Sequence, residues 1–228
     1  MGTTYKDPRI GINPLAQYTD GATATRRSSI IKNAKDKPLF IVRRYNEAEE
    51  FLAHFLASGA SSRLLADHIT TLRTGFYFKD SDRENASYSA DALQAFYKNG
   101  LWLPGLLSAY NIDVTVHENA HKTIVEGVQV SLRPELMLRD KKSGEQIGFV
   151  KFHFSKTRPL PSSQAELIAC FGKHYFESEH TLVFKASNCL VLDVFTGGIT
   201  QAPKAFAKRL SDIKASCREI ADRWHLVV

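Results

Sequence analysis

Residues 127–156 show the most regular alternation of apolar and polar positions in the chain. Over residues 128–138 the even-numbered positions are apolar and the odd-numbered ones are mostly polar, a period of two that predicts a β-strand. Over residues 148–154 the even-numbered positions are again apolar. Matching two apolar faces across an antiparallel pair requires a loop with an odd number of residues. Residues 142–144 provide three, with glycine where left-handed geometry is needed, so the pattern predicts a β-hairpin.

The register of this hairpin places polar side chains opposite one another. A loop over residues 142–144 sets Glu135 across from Lys151 and Arg133 across from His153. All four positions are odd-numbered, so the side chains share one face of the pair. We therefore expect a polar cluster beside an apolar face, and this cluster is the first candidate for a functional site.

Helical periodicity predicts several helices outside the hairpin. Asn46 and Glu49 form a capping-box-like pair before an apolar stripe, and Gly59 ends that stripe. A second helix is expected over residues 61–75, where a serine precedes spaced leucines and isoleucine. The clearest helix covers residues 206–224, in which apolar residues recur at alternating steps of four and three.

The order of these elements predicts an α/β (α+β) fold with a helical N-terminal region. Residues 1–24 are rich in Gly, Pro, Thr and Asp without periodicity, and we expect an extended arm there. The polar run at residues 79–85 is typical of a surface loop. We therefore divide the chain into a basic arm with a helical annex, residues 1–84, and an α/β core that ends in an amphipathic helix, residues 85–228. The core is expected to contain a central mixed sheet flanked by helices.

Charge adds a basic surface to this picture. The chain has 228 residues, 43% of them hydrophobic, and a net charge of +6, which favours a polyanionic partner such as nucleic acid. Basic residues concentrate between positions 26 and 44, with apolar residues interleaved. The candidate phosphate contacts are Arg26, Arg27, Lys32, Arg43 and Arg44. A solvated basic face is the alternative interpretation.

Apolar runs and cysteines indicate the compartment. No uninterrupted apolar run approaches the length of a membrane span, and the N-terminus lacks the order of a secretory signal. We therefore expect a cytoplasmic protein with no membrane partner. Cys170, Cys189 and Cys217 are odd in number, widely spaced and within apolar segments, so buried reduced thiols are expected rather than disulfides.

The acid and the lysine of the predicted hairpin resemble the motifs of the PD-(D/E)XK nuclease superfamily, in its RecB-like and exonuclease-like branch. Pro134-Glu135 corresponds to the first motif, Lys151 to the lysine of the second, and Gln164 to the glutamine on the following helix. The resemblance covers about residues 85–195 and rests on short motifs. It implies a restriction-endonuclease-like core.

The resemblance also implies a reaction, the metal-dependent hydrolysis of a phosphodiester in DNA. Glu135 would bind Mg²⁺ or Mn²⁺, because hard cations prefer carboxylate oxygens. Lys151 would stabilise the developing negative charge or position the attacking water. Arg133 and His153 would support the site.

The sequence departs from the superfamily at one costly position, because Phe149 stands where the second acid is expected. Candidates for a replacement carboxylate are Glu118, Glu126 and Glu166. Without a second acid, the chain would be a catalytically inactive, nuclease-like subunit that binds nucleic acid or a protein partner within a larger complex. A third alternative is that the acid and the lysine form a cross-strand ion pair, worth under ~1 kcal/mol if exposed.

A second motif occurs at residues 117–121, which read His-Glu-Asn-Ala-His. This spacing binds zinc in metallopeptidases when it lies on a helix. Here residues 112–116 alternate as a strand and Asn119 is typical of a turn. On a strand the two histidines would lie roughly 13 Å apart, so we do not expect them to share an ion.

Overall fold

The structure, a computed structural model, describes residues 3–37 and 44–227 of the chain. These residues form eight α-helices and ten β-strands. The helices are α1 (Ile12–Thr19), α2 (Ala24–Lys35), α3 (Asn46–Ser58), α4 (Ser62–Thr74), α5 (Asp80–Asn99), α6 (Leu103–Leu107), α7 (Ser162–Glu179) and α8 (Ala207–Arg223). The strands are β1 (Thr3–Thr4), β2 (Arg9–Gly11), β3 (Asp36–Lys37), β4 (Tyr110–Val114), β5 (His121–Val125), β6 (Val128–Leu132), β7 (Leu136–Asp140), β8 (Gln146–His153), β9 (Cys189–Asp193) and β10 (Gly198–Gln201).

The larger strands form two mixed sheets. A five-stranded sheet has the order β10-β9-β8-β7-β4, in which β8 and β9 run parallel and the other neighbours run antiparallel. A three-stranded sheet has the order β2-β6-β5, with β2 parallel and β5 antiparallel to β6. Strands β1 and β3 form a short antiparallel pair.

The five-stranded sheet is the central layer of the fold, because each of its faces packs against helices. Phe149 and Val191 belong to a buried cluster with residues of α1, α2, α7 and α8. Their neighbours Val150 and Leu192 belong to a second cluster with residues of α3, α4 and α5. Since successive side chains of a strand point to opposite faces, the two clusters lie on the two sides of the sheet. The α/β class with a mixed sheet flanked by helices is therefore confirmed.

Three helices begin and end where the sequence predicts. Helix α3 ends at Gly59, whose φ of 64° is the left-handed geometry expected of a C-terminal glycine. Helix α4 follows directly, with Ser61 preceding its first residue. Helix α8 buries Ile213, Cys217 and Ile220 of the predicted stripe. None of the helices in the described part of the chain is long and apolar enough to cross a membrane.

The N-terminal segment departs from the extended arm that the sequence predicts. Residues 9–19 form β2 and α1, and α1 packs against α7 and α8. Ile12, Leu15 and Tyr18 are buried at helical spacing, and Pro14 is tolerated because it lies in the first turn. The expectation of an arm was wrong here, because the glycines and prolines of this segment were taken to exclude a helix although its apolar residues are spaced as in one.

The polar run at residues 79–85 is also different from the prediction. It forms the first turns of α5 rather than a surface loop, so the boundary drawn between residues 84 and 85 falls inside a helix. Asp80 and Asp82 lie in the first turn, where negative charge stabilises a helix. The charged residues thus mark a helix start, which composition alone did not distinguish from a loop.

The first arm of the predicted hairpin is divided between two sheets. Strand β6 pairs with β2 and β5, whereas β7 pairs with β4 and β8. The break lies at Pro134, which has no backbone N–H to continue a ladder. The even-numbered residues of β6 pack in the cluster of α1, α2, α7 and α8, while Leu136 and Leu138 pack on the opposite side of the sheet. A single apolar face along residues 128–138 was therefore a wrong expectation.

The register between β7 and β8 nevertheless agrees with the prediction. Leu136 pairs with Val150. Continued by one residue, this register places Glu135 opposite Lys151. The turn is one residue longer than expected, since Asp140 pairs with Glu145 through its backbone N–H. An irregularity between Leu138 and Arg139 compensates for the extra residue.

Candidate functional site

Glu135 lies at the point where the chain enters β7, and its carboxylate is almost completely buried, 1% exposed. Lys151 Nζ donates to Glu135 Oε1, so the predicted pairing of the acid and the lysine is confirmed. Glu135 Oε2 accepts the backbone N–H of Phe152 at 2.5 Å. The carboxylate thus satisfies a backbone donor of β8 at the point where the neighbouring strand has left the sheet.

Arg133 and His153 do not face each other, so this part of the predicted register is wrong. Arg133 donates to Glu49 Oε1 on α3 at 2.6 Å, and His153 Nε2 donates to the carbonyl oxygen of Arg158 at 3.2 Å. The reason is the break at Pro134, which places Arg133 outside the ladder of β7 and β8. We refer to Glu49, Arg133, Glu135 and Lys151 as the Glu135 cluster.

The environment of Glu135 raises the pKa of its carboxyl group. Burial raises the pKa of Glu135 to about 7, Lys151 opposes this shift, and the negative charge of Glu49 adds to it. Each carboxylate oxygen already accepts a hydrogen bond. A divalent cation at Glu135 would have to displace the ammonium group of Lys151. The cluster as arranged therefore fits a buried ion pair better than it fits Mg²⁺ or Mn²⁺.

The carboxylates expected to complete a metal site either pair with arginines or are exposed. Glu166 accepts two hydrogen bonds from Arg209, at 3.1 and 2.5 Å. Glu126 lies 3.8 Å from Arg218, and Glu118 is exposed in the connection from β4 to β5. Within the described residues, Glu135 belongs to no group of three potential metal ligands.

Phe149 occupies the position of the missing acid as a core residue. Its side chain is fully buried and contacts Phe176 and Phe184. It also packs so closely on Gly172 of α7 that a Cβ at that glycine would clash with the ring. The site of the expected second carboxylate is thus filled by close apolar packing.

A second candidate site is a cavity of about 820 Å³ between α1, α2, β2, β6 and the segment that follows β8. Its basic lining residues are Arg9, Arg26, Lys122, His153 and Arg158. No aspartate or glutamate is among the described residues that line it. We call this site the basic cavity.

The basic cavity brings together side chains from distant parts of the chain. Parallel pairing of β2 with β6 places Arg9 beside Gln129. Arg26 lies in the first turn of α2, where the side chain of Thr23 accepts its backbone N–H. His153 is the last residue of β8, and Arg158 lies in the segment between β8 and α7. Four of the elements of secondary structure and a loop thus converge on one space.

Several polar atoms at this cavity are buried without a hydrogen-bond partner in residues 3–37 and 44–227. They include Nε of Arg9, Nε of Arg26 and Oδ1 of Asn13. The Arg9 guanidinium lies over the ring of Tyr5, 3.9 Å from its centre, while Arg26 donates to Gln17 Oε1 at 2.8 Å. Buried polar atoms without partners are uncommon in proteins, and both arginines line the cavity, where a guanidinium group is suited to bind an anion.

Gln164 belongs to the basic cavity rather than to the Glu135 cluster. It lines the cavity, and its Nε2 donates to the backbone carbonyl of Asp20 at 2.9 Å. Arg26, His153 and Gln164, which the sequence analysis proposes as site residues, therefore line the same cavity. This cavity is not the site that the sequence predicts.

The other predicted phosphate contacts lie elsewhere. Arg27 pairs with Glu219 of α8 at 3.2 Å, and Arg44 lies over the ring of Tyr88, 5.2 Å from its centre. Lys32 is exposed on α2, and Arg43 lies outside the residues that the structure describes. The described basic residues between positions 26 and 44 thus lie in several different environments.

Sequence reasoning missed Arg9, Lys122 and Arg158. Arg9 lies in the segment interpreted as an arm, and its partner strand β6 is far away in the chain. Parallel pairing of distant segments leaves no local pattern, so periodicity does not reveal it. Lys122 is brought to the cavity by the antiparallel pairing of β5 with β6, and Arg158 by the loop after β8.

The Glu135 cluster and the basic cavity are therefore the two arrangements that bear on function. The cluster is internally neutral and closed by its own hydrogen bonds, while the cavity offers open volume and unsatisfied donors. Comparison with known proteins found no matching family model and no matching curated protein.

Proposed function

We propose that this protein binds nucleic acid and that the basic cavity receives a phosphate-bearing nucleotide of a single strand. The observation that carries the proposal is a cavity lined by three arginines, one lysine and one histidine, with no acid among its described lining residues. A net charge of +6 supports a polyanionic ligand.

The arginines fit a phosphate for two reasons. A guanidinium presents donors in a planar fork that matches two oxygens of one phosphate. In addition, Arg9, Arg26 and Arg158 line the cavity with no acid among its described lining residues, so a phosphate there would meet positive charge that no lining carboxylate neutralises.

The size and the remaining lining favour a nucleotide over a bare ion. The volume of about 820 Å³ lies within the range of small-molecule sites, ~300–1,000 Å³. Tyr5, Ile10 and Leu160 supply aromatic and apolar surface against which a base can lie. Amide side chains such as Gln17 and Gln129 supply donors and acceptors for a base edge. A duplex is too wide for a cavity of this volume, whereas one unstacked nucleotide fits.

Fluorescence anisotropy with labelled single-stranded DNA and RNA oligonucleotides tests this proposal. Arg9→Gln and Arg26→Gln are each expected to weaken binding about tenfold or more, because each removes a charge-assisted hydrogen bond. Arg63→Gln is the matched control, since it removes the same charge from a side chain that is 89% exposed on α4. Circular dichroism of each variant checks that the fold is retained.

Salt dependence provides a second, independent measurement. Each lost phosphate contact should reduce the slope of log affinity against log salt by about one unit. Binding without salt dependence would exclude phosphate contacts. Equal affinities for wild type, Arg9→Gln and Arg26→Gln would exclude the basic cavity as the site.

Metal-dependent cleavage of DNA is the second candidate function. It is favoured by the contact of Lys151 with a buried acid that follows Pro134, and by the raised pKa of Glu135. Incubation of plasmid and single-stranded DNA with Mg²⁺ or Mn²⁺ tests it, with Lys151→Ala and Glu135→Ala in parallel. Binding without cleavage in the wild type would leave the non-catalytic function, which we place first because both oxygens of Glu135 already accept hydrogen bonds.

We place this function in the cytoplasm. The cysteines at positions 170, 189 and 217 are free and buried, which agrees with the expected reduced thiols and is typical of a reducing compartment. Fractionation of cells that express the tagged protein tests the location.

A further inference from the structure

Three potential metal ligands meet on the surface of α3. Glu50 and His54 lie one helical turn apart on α3, and His117 lies in the turn between β4 and β5. One ligand atom from each residue lies within 4.8 Å of the other two. Glu50 Oε1 and His117 Nε2 are 3.2 Å apart. None of these three residues lines the basic cavity or belongs to the Glu135 cluster.

We propose that Glu50, His54 and His117 form a binding site for Zn²⁺ that links α3 to the turn between β4 and β5. The site has three protein ligands and leaves the fourth position open to solvent. It is independent of nucleic-acid binding in the basic cavity, so either proposal can fail without the other.

The geometry agrees with a tetrahedral zinc ion. Bonds of ~2.0–2.2 Å from zinc to nitrogen and oxygen place neighbouring ligand atoms about 3.4 Å apart. The separation of 3.2 Å between Glu50 and His117 already matches this distance. His54 follows Glu50 by four residues, and residues at that spacing lie on the same face of a helix. Small rotations of exposed side chains then bring all three atoms to one ion.

The donor types select the kind of metal. Two imidazole nitrogens and one carboxylate oxygen are a common set for zinc with an open position. Mg²⁺ and Ca²⁺ prefer sites built from oxygen atoms. The three cysteines do not compete for zinc, because all are buried.

The structure also gives His117 a different partner from the one the sequence indicates. The H-E-x-x-H spacing relates His117 to His121, but residues 115–120 are not helical. His121 lies in β5 and contacts Tyr175 and Phe176. The residues that approach His117 come from α3, so the metal site joins two elements that the motif does not connect.

The side chains are accessible to an ion. His117 is 70% exposed and Glu50 is 47% exposed. Binding therefore requires neither opening of the core nor displacement of the neighbouring Glu49, which pairs with Arg133.

Isothermal titration of EDTA-treated full-length protein with ZnCl₂ tests the site, and titration with CoCl₂ reports the coordination geometry by visible absorption. We expect one equivalent of Zn²⁺, a tetrahedral Co²⁺ spectrum and no heat with MgCl₂. His54→Ala and His117→Ala are each expected to weaken Zn²⁺ binding at least about tenfold, as loss of a ligand or its support does. His225→Ala, which removes an exposed histidine outside the cluster, should bind as the wild type does.

Thermal unfolding separates loss of ligand from loss of fold. Without metal, His54→Ala and His117→Ala should melt near the wild-type temperature because both side chains are exposed. With zinc, only the wild type and His225→Ala should gain stability. Absence of zinc binding in the wild type, or equal zinc affinity in the wild type and both cluster variants, would overturn the proposal.

Discussion

Replacing Glu135 by glutamine removes a titrating group from the centre of the fold and keeps the size of the side chain. Burial raises the pKa of Glu135 from 4.5 to about 7 in the folded protein, whereas the unfolded chain has the ordinary value. Between pH 4.5 and 7 the folded state therefore holds a proton that the unfolded state has released. Stability that is fully present below pH 4.5 is lost as the pH rises toward 7.

The size of the effect follows from the difference between the two pKa values. About 2.5 pH units correspond to about 3 kcal/mol, since one unit is ~1.4 kcal/mol. We therefore expect the wild type to lose about 3 kcal/mol relative to Glu135→Gln between pH 4.5 and 8. Urea unfolding at several pH values measures it, with the fluorescence of fully buried Trp224 as the signal.

Glu145→Gln, at an exposed position in the turn after β7, should follow the wild type at every pH. If the difference between the wild type and Glu135→Gln is constant, Glu135 titrates alike in both states. If the wild type instead gains stability relative to the variant as the pH rises, the attraction to Lys151 outweighs burial and the reasoning is refuted.

Three further predictions concern packing, backbone geometry and thiols. Phe149→Asp, which restores the acid expected from the superfamily, should destabilise the protein by at least about 3 kcal/mol rather than create a nuclease, because Phe149 is fully buried; near-wild-type stability in urea would contradict this. Gly144→Ala should cost about 1 kcal/mol because φ is 73°, and unchanged urea unfolding would show that the turn rearranges. The three cysteines should react with Ellman's reagent only after denaturation, since all are buried and burial raises their pKa values; rapid reaction of the native protein would refute this.

Local signals account for the parts of the fold that the sequence predicts. The C-terminal end of α3 depends on Gly59, and the stripe of α8 depends on spacing within one helix. The predicted cap at Asn46 was wrong, because Tyr45 is the N-cap residue and its side chain does not cap the helix. The pairing of Glu135 with Lys151 depends on a short turn between adjacent strands. Each of these features is determined by residues that are close in the chain, so periodicity and turn chemistry are sufficient to find them.

Features made by distant segments were not predictable in the same way. After the exchange of sheets at Pro134, β6 pairs with β2 as well as with β5, and β2 lies far earlier in the chain. The basic cavity depends on that pairing, because it places Arg9 near His153. The neighbours of Glu135 were missed for a related reason, since Glu49 reaches the cluster from α3. Charge and motif identify such residues as polar but do not indicate which of them meet.

The packing of α1 on α7 and α8 has a consequence for the order in which the protein acquires its structure during translation. At ~5–20 residues per second, the ribosome needs on the order of 10 to 40 s to synthesise the chain from α1 to the end of α8. Throughout that time Ile12, Leu15 and Tyr18, which are buried in the finished protein, have at most part of their native surroundings, because α7 and α8 come last. The native contacts of α1 with α7 and α8 therefore form only after those two helices have left the ribosome.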